Sequence, residues 1–300
     1  MIRIFKVGFI FIMSLMIFSC HKSDSPTSFY VVPFAEQYPK DIAAIETYLK
    51  THSINVTNHS GFPDDQDVAF ATVPAGDPTS IWGNLPVPKA SLLSKSVLSN
   101  GVTYNVYYLK LRDGVGQNPT RVDSTFVSYK GQTLADAVFD QAPNPLWLRL
   151  SDVIIGWKEI FPLFKTGDSG VVNTDGTVTY NNFGAGVMFL PSGLAYYNNA
   201  IGSIPAYAPL IFNFKLKGLN YIDHDYDRID SKDEDINGDG DPTNDDSDGD
   251  GRPDYLDIDD DADGIPTKTE IRMSPGVYYD FANIPLCTDG KKKHLSATCH

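Results

Sequence analysis

One stretch restricts what this chain can become more than any other. Residues 223–270 hold 18 Asp and two Glu against only Arg228, Lys232, Arg252 and Lys268. That is a net charge of −16 in a chain whose whole charge is −14, which leaves +2 for everything else. Apolar residues are too sparse here for helical or strand periodicity, so burial alone cannot fold the stretch. It is either a disordered acidic linker or a segment folded around cations. The near-neutral remainder has no electrostatic case for nucleic acid, and the acidic stretch would repel phosphates.

The aspartates are spaced. A hard divalent ion such as calcium takes six to eight oxygens, and a twelve-residue loop supplies them from positions 1, 3, 5, 7, 9 and 12 around a glycine at 6. Asp246, Asp248, Asp250, Gly251, Arg252, Asp254 and Asp257 match, with Arg252 offering its carbonyl. Asp259, Asp261, Asp263, Gly264, Ile265, Thr267 and Glu270 match again. Asp235, Asn237, Asp239, Gly240, Asp241, Thr243 and Asp246 make a third, so that Asp246 serves two loops. A fourth start, Asp223-Asp225-Asp227, lacks the glycine and is doubtful. The abutting loops leave no room for EF-hand helices and resemble thrombospondin type 3 repeats. That resemblance implies a structural Ca2+ cofactor and, without metal, an extended chain.

At the other end, Arg3 and Lys6 precede an apolar run, Val7 to Phe18, which is shorter than a bilayer span. It ends in Ile17-Phe18-Ser19-Cys20 and resembles a bacterial lipoprotein box, with Cys20 as the lipidated residue. A plain secretory signal is the alternative. Either way the expectation is export, with the lipid reading placing the chain on a membrane of the bacterial envelope. Cys287 and Cys299 then either pair or stay free thiols; their spacing does not decide.

Residues 1–20 thus form a signal and 21–99 a tether with a helical, then irregular, extension. Within it Ile42, Ile45 and Leu49 share a helical face over 39–53, with Asp41 and Glu46 toward the polar side. Five prolines between Ser60 and Lys89 predict irregular chain. From Gly101 the texture alternates: Val102, Tyr104, Val106 and Tyr108, later Leu210, Phe212, Phe214 and Leu216. Val153–Phe164 reads as a short helix, Asp175-Gly176 as a hairpin turn, and Gly184-Ala185-Gly186 as a bulge or turn. Residues 100–219 are therefore an α+β domain, followed by the Asp-rich repeats at 220–272 and a tail at 273–300. Between Gly101 and Leu219 there is no His and no Cys, which excludes imidazole acid–base chemistry, a thiol nucleophile and a His-bound metal there.

Five pieces of this domain, in order, look like the FKBP signature. They are Val127-Ser128-Tyr129-Lys130-Gly131; Val138-Phe139-Asp140; Val153-Ile154-Ile155-Gly156-Trp157-Lys158-Glu159; Leu190-Pro191 through Tyr196; and Ile204-Pro205 with Leu210-Ile211-Phe212. The resemblance implies a curved antiparallel β-sheet wrapped on a short α-helix, and prolyl isomerase activity on proline-containing exported polypeptides. It also implies a pocket lined by Tyr129, Phe139, Asp140, Val153, Ile154, Trp157, Tyr196, Ile204 and Phe212. Trp157 would be its floor, with a further wall at Leu146 or Trp147. Tyr196 and the Ile204 N–H would hold substrate carbonyls, and Asp140 would accept a bond from Tyr129. Two positions depart from the family: Tyr197 stands where glycine is usual, and Ala206 where a second proline is common.

Overall fold

The computed structural model describes residues 30–83, 91–168 and 170–299, so Cys20 and its flanks lie outside the described residues. Helix α1, Phe34–Thr51, leads into strands β1, His52–Val56, and β2, Val68–Thr72, which pair antiparallel. The main sheet follows with β3, Leu92–Ser99; β4, Val102–Arg112; β5, Ser124–Thr133; and β6, Val138–Arg149. Helix α2, Ile155–Ile160, and a small hairpin, β7 (Val171–Val172) with β8 (Val178–Thr179), come next. Strands β9, Gly184–Leu190, and β10, Leu210–Asn220, complete a six-stranded antiparallel sheet in the order β3-β4-β9-β10-β5-β6.

The alternation seen in the sequence sorts side chains onto two faces. Tyr104, Val106, Tyr108, Leu210, Phe212, Phe214 and Leu216 share the inner face with Trp157, Ile160 and Phe161 of α2. The other parity, Leu109, Val187, Phe189 and Ile211, is not solvated. It packs on Ile45, Tyr48 and Leu49 of α1 and on Ile54 and Val68 of the small hairpin. This accounts for β9, in which every residue is buried. At roughly 25 cal/mol per Å² of apolar area, a second covered face adds substantially to stability.

The expected irregular extension is thus a folded layer. Strand β2 is a five-residue run between proline-bearing turns, too short to show in the composition. Its approach loop is held to the sheet by cations: Lys215 to Asp67 and the Pro63 carbonyl, both 2.6 Å, and Arg112 to Asp65, 2.6 Å. Nor is Asp41 on a polar side. It is buried, and accepts bonds from the Ser192 N–H and hydroxyl at 2.8 and 2.6 Å and from Gln37. Burial raises its pKa, with the Ser192 and Gln37 bonds opposing. Tyr48, passed over in the sequence, completes the buried stripe.

The sheet begins at Leu92, eight residues before the expected boundary at 100. Gly184 and Gly186 are strand residues, not a turn, because the ring of Phe164 would lie 2.6 Å from a Cβ at 186. The tail folds too: Ile229, Ile271 and Ile284 form a separate apolar cluster, and the same segment carries helix α3, Thr267–Glu270, the strand pair β11 (Arg272–Ser274) and β12 (Val277–Tyr278), and a Cys287–Cys299 disulfide. Among the described residues no helix is long and apolar enough to cross a membrane.

Candidate functional site: an aromatic cleft and an acidic tail

Five separate pieces of chain meet between the inner face of the sheet and α2. Tyr129 comes from β5, Asp140 and Leu148 from β6, Trp157 from α2, Phe212 from β10, and Tyr196 from the loop after β9. With Asp152, Val153 and Ile154 at the entry to α2 they line a cavity of about 230 Å³. Ring centroids lie 5.1 Å apart for Tyr129–Trp157 and 5.3 Å for Trp157–Phe212, both near-perpendicular. Beneath, Trp157 stacks on Phe161 at 4.8 Å, which fixes the indole plane. Its ring nitrogen has no hydrogen-bond partner among the described residues.

Gly131 permits this packing. A Cβ there would fall 2.6 Å from the Phe139 ring and 2.8 Å from that of Phe212. The Tyr129 hydroxyl donates to Asp140 at 2.6 Å. Burial, then the Asp140 bond and charge, push the Tyr129 phenol well above its usual range, so it stays a donor. Burial also raises Tyr196, with the Asp140 charge adding.

Most of the expected wall residues come together, and three assignments change. The extra wall is Leu148, not Leu146 or Trp147. The β5–β6 register is irregular between Val127 and Tyr129, and Trp147 packs outward on Phe126 at 5.0 Å. Phe139 supports Phe212 edge-on at 5.5 Å from behind instead of lining the cavity. Ile204 is buried beside the cleft, and its N–H already donates to the Ile201 carbonyl at 2.9 Å. Asp152 was missed; nothing marks it in the sequence beyond preceding Val153-Ile154. Tyr180, beside the β7–β8 hairpin, packs on Phe126 at 5.4 Å and is not among the residues that line the cleft.

A larger cavity, about 350 Å³, opens between Pro63, Asp67, Lys130, Asn213 and Lys215. Its two lysines are committed to the small hairpin and its approach loop, so it is a seam between layers.

The two departures become intelligible in the rim. Tyr197 takes φ +53°, the left-handed conformation that favours glycine. Its ring stacks on Phe34 at 3.9 Å and its hydroxyl donates to the Val32 carbonyl. Tyr207, beside Ala206, accepts from the Val32 N–H at 3.0 Å.

In the tail, the first aspartate of each loop accepts from the N–H at position 6. The bonds are Asp235–Gly240, 2.8 Å; Asp246–Gly251, 3.0 Å; Asp259–Gly264, 3.1 Å; and Asp223–Arg228, 3.1 Å. The three glycines have φ +87°, +95° and +90°, and Arg228 has +91°. The doubtful fourth loop therefore has the same turn as the others, with an arginine in the strained conformation. Its twelfth residue is Glu234, buried, with both oxygens unpartnered.

Carboxylate oxygens of Asp223, Asp225 and Asp227, of Asp246, Asp248 and Asp250, and of Asp259, Asp261 and Asp263 converge within 4.8 Å in each trio. Glu270 closes the last: both its oxygens are buried without partners, and burial followed by the Asp261 and Asp263 charges pushes it up to about 8. Such donors fit a hard cation.

The side chains at position 9 are engaged in hydrogen bonds within the tail. Asp254 is tied to the N–H and hydroxyl of Ser247, both 2.7 Å, and Thr267 accepts from the Asp260 N–H at 3.2 Å. Ser231 serves the His224 N–H in the same way. These side chains brace the loop. In the first glycine loop the brace is Asp245, to the Asn237 N–H at 3.1 Å, while Thr243 donates to Asp241 and Asp246 converges with its own loop.

A sheet wrapped on a short helix thus carries a largely aromatic cleft with a tyrosine–aspartate pair in its lining. Residues 116–217 match the family model for FKBP-type peptidyl-prolyl cis-trans isomerases. Residues 224–294 match a second model, BamM C-terminal. The chain is 30% identical to the probable FKBP-type peptidyl-prolyl cis-trans isomerase FkpA of Neisseria meningitidis, over 39% of this chain and 38% of that one. It is 32% identical to FkpA of Buchnera aphidicola from Acyrthosiphon pisum, over 36% and 40%. The crystal structure of FkpA from Escherichia coli is similar at 26% identity and a TM-score of 0.33, over 42% and 51%. The chain thus spans about half or less of the length of these relatives.

Proposed function

We propose that the cleft catalyses cis–trans isomerisation of X–Pro bonds in exported polypeptides, on a chain lipid-anchored through Cys20 in the bacterial envelope. The observation that carries this reading is the cavity itself, with perpendicular rings on Trp157 and the Tyr129–Asp140 pair at its rim. Amide resonance sets a barrier of ~18–20 kcal/mol to rotation. The planar amide is charge-separated and well hydrated, whereas the twisted transition state has lost that resonance. Transfer into an apolar cleft penalises the former more. Asp140 holds a carboxylate beside the rotating carbonyl, fixed by Tyr129. Each ~1.4 kcal/mol gained at the transition state is worth tenfold in rate.

A binding module without fast turnover is the second reading, and one observation favours it: the Ile204 N–H that would hold a substrate carbonyl is already engaged. A refolding reaction limited by prolyl isomerisation separates the two. Acceleration at sub-micromolar protein supports the isomerase, and none at micromolar protein rejects it.

The tail is read as a calcium-stabilised element. Calcium would supply the positive charge that lets 18 aspartates pack, and the loop carboxylates would hold it, with Arg252 and Ile265 offering carbonyls. The Cys287–Cys299 bond supports an oxidising compartment. Running the refolding assay with calcium and with chelator tests whether the tail acts on the cleft.

A further inference from the structure

The strongest unexplained chemistry joins the loop that lacks a glycine to the last glycine loop. Asp227 is the fifth residue of the Asp223 loop, Glu234 its twelfth, and Asp260 comes from the last loop, 26 residues further on. One oxygen from each lies within 4.8 Å of the others. The three residues are 2%, 1% and 2% exposed. Both oxygens of Glu234, both of Asp260 and one of Asp227 have no hydrogen-bond partner among the described residues. Buried polar atoms without partners are rare, and five in one place call for a missing positive centre.

No salt bridge reaches the three among the described residues, and the nearby Lys268 amine donates to the Tyr226 carbonyl at 2.8 Å. Shared protons would draw carboxyl pairs into short O–H···O bonds, and among the described residues the oxygens of Glu234 and Asp260 form none. Oxygens spread over up to 4.8 Å instead span the two sides of an ion that holds its ligands at 2.3–2.6 Å.

We propose that Asp227, Glu234 and Asp260 form a buried site for a hard divalent cation, calcium above all, that staples the first acidic loop to the last. Asp227 belongs to both this site and the Asp223 trio, so two ions would share one carboxylate. The chain between them, 228–259, is closed into a ring by the staple. Ile229 and Ile271 of the tail's apolar cluster flank its two ends, so the ion and the cluster fix the same closure. The inference shares with the calcium reading the premise that the tail takes divalent ions. Asp260 separates them, since its side chain belongs to no loop trio.

Calcium titration of the full-length, chelator-treated protein by calorimetry is the first test. Asp260→Asn should bind one ion fewer per chain, while Asp230→Asn, a half-buried control paired with Lys232, should match the unmodified protein. Equal stoichiometry and affinity in Asp260→Asn overturns the site. Anomalous scattering from terbium-soaked crystals of the unmodified protein does not depend on the variant folding. A peak touching all three carboxylates supports the proposal. Peaks confined to the loop trios overturn it and leave the loops standing, and no peak anywhere removes both.

Discussion

At the scale of single residues the cleft depends on groups whose neighbours leave little freedom. Tyr129 is held by its bond to Asp140 on one side and by the Trp157 edge on the other. Tyr129→Phe keeps the ring and deletes the bond, leaving the Asp140 carboxylate free to rotate. The expected outcome is an approximately tenfold loss of kcat/KM on a proline peptide, ~1.4 kcal/mol, with an unchanged melting curve. An equal rate would remove the pair from the mechanism. Tyr197 illustrates the opposite trade: left-handed backbone costs roughly 1–3 kcal/mol, offset by stacking on Phe34 and the bond to Val32.

At the scale of elements, α2 is the junction between cleft and tail. Glu159, two residues beyond Trp157, is 6% exposed and pairs with Lys95 at 2.8 Å and with Arg121. The same guanidinium bonds Asp241 of the first glycine loop. Removing one partner of a buried ion pair is costly because the remaining charge stays desolvated. Arg121→Met leaves Lys95 as the sole partner and frees the loop. Urea unfolding should show a loss of about 2 kcal/mol, and calcium should no longer alter protease sensitivity near Asp241. Retained stability would mean that Lys95 suffices.

For the whole molecule, the C-terminal tail responds to acid through His294. The residue is completely buried, neither ring nitrogen has a hydrogen-bond partner among the described residues, and burial followed by the Lys292 charge pushes its pKa down to about 4. The unfolded chain protonates near 6.5 while the folded one does not, so stability is intact above 6.5 and falls as pH drops toward 4. The slope is ~1.4 kcal/mol per pH unit, ~3 kcal/mol across the window. His294→Leu should flatten that fall in calcium-saturated melts between pH 7.5 and 5. Comparing the two proteins cancels the contribution of the acidic groups that both share. A variant that loses stability in parallel with the unmodified protein would refute the assignment.

What the sequence determined by itself was whatever depends on short-range order. Alternation assigned the inner face of β4 and β10, and the five signature pieces supplied most of the cleft. The 1-3-5 spacing supplied the acidic loops, because position 6 must turn within a few residues. What only the tertiary structure decided depends on partners far away in the chain. The irregularity between Val127 and Tyr129 moved the wall from Trp147 to Leu148, and a covered second face turned a proline-rich extension into a layer. Arg228 holds a turn reserved in local statistics for glycine, since Asp223 caps it as glycines are capped elsewhere. Asp260 could not be singled out among 18 aspartates by spacing, for its partners Asp227 and Glu234 are brought to it by the closure of the tail.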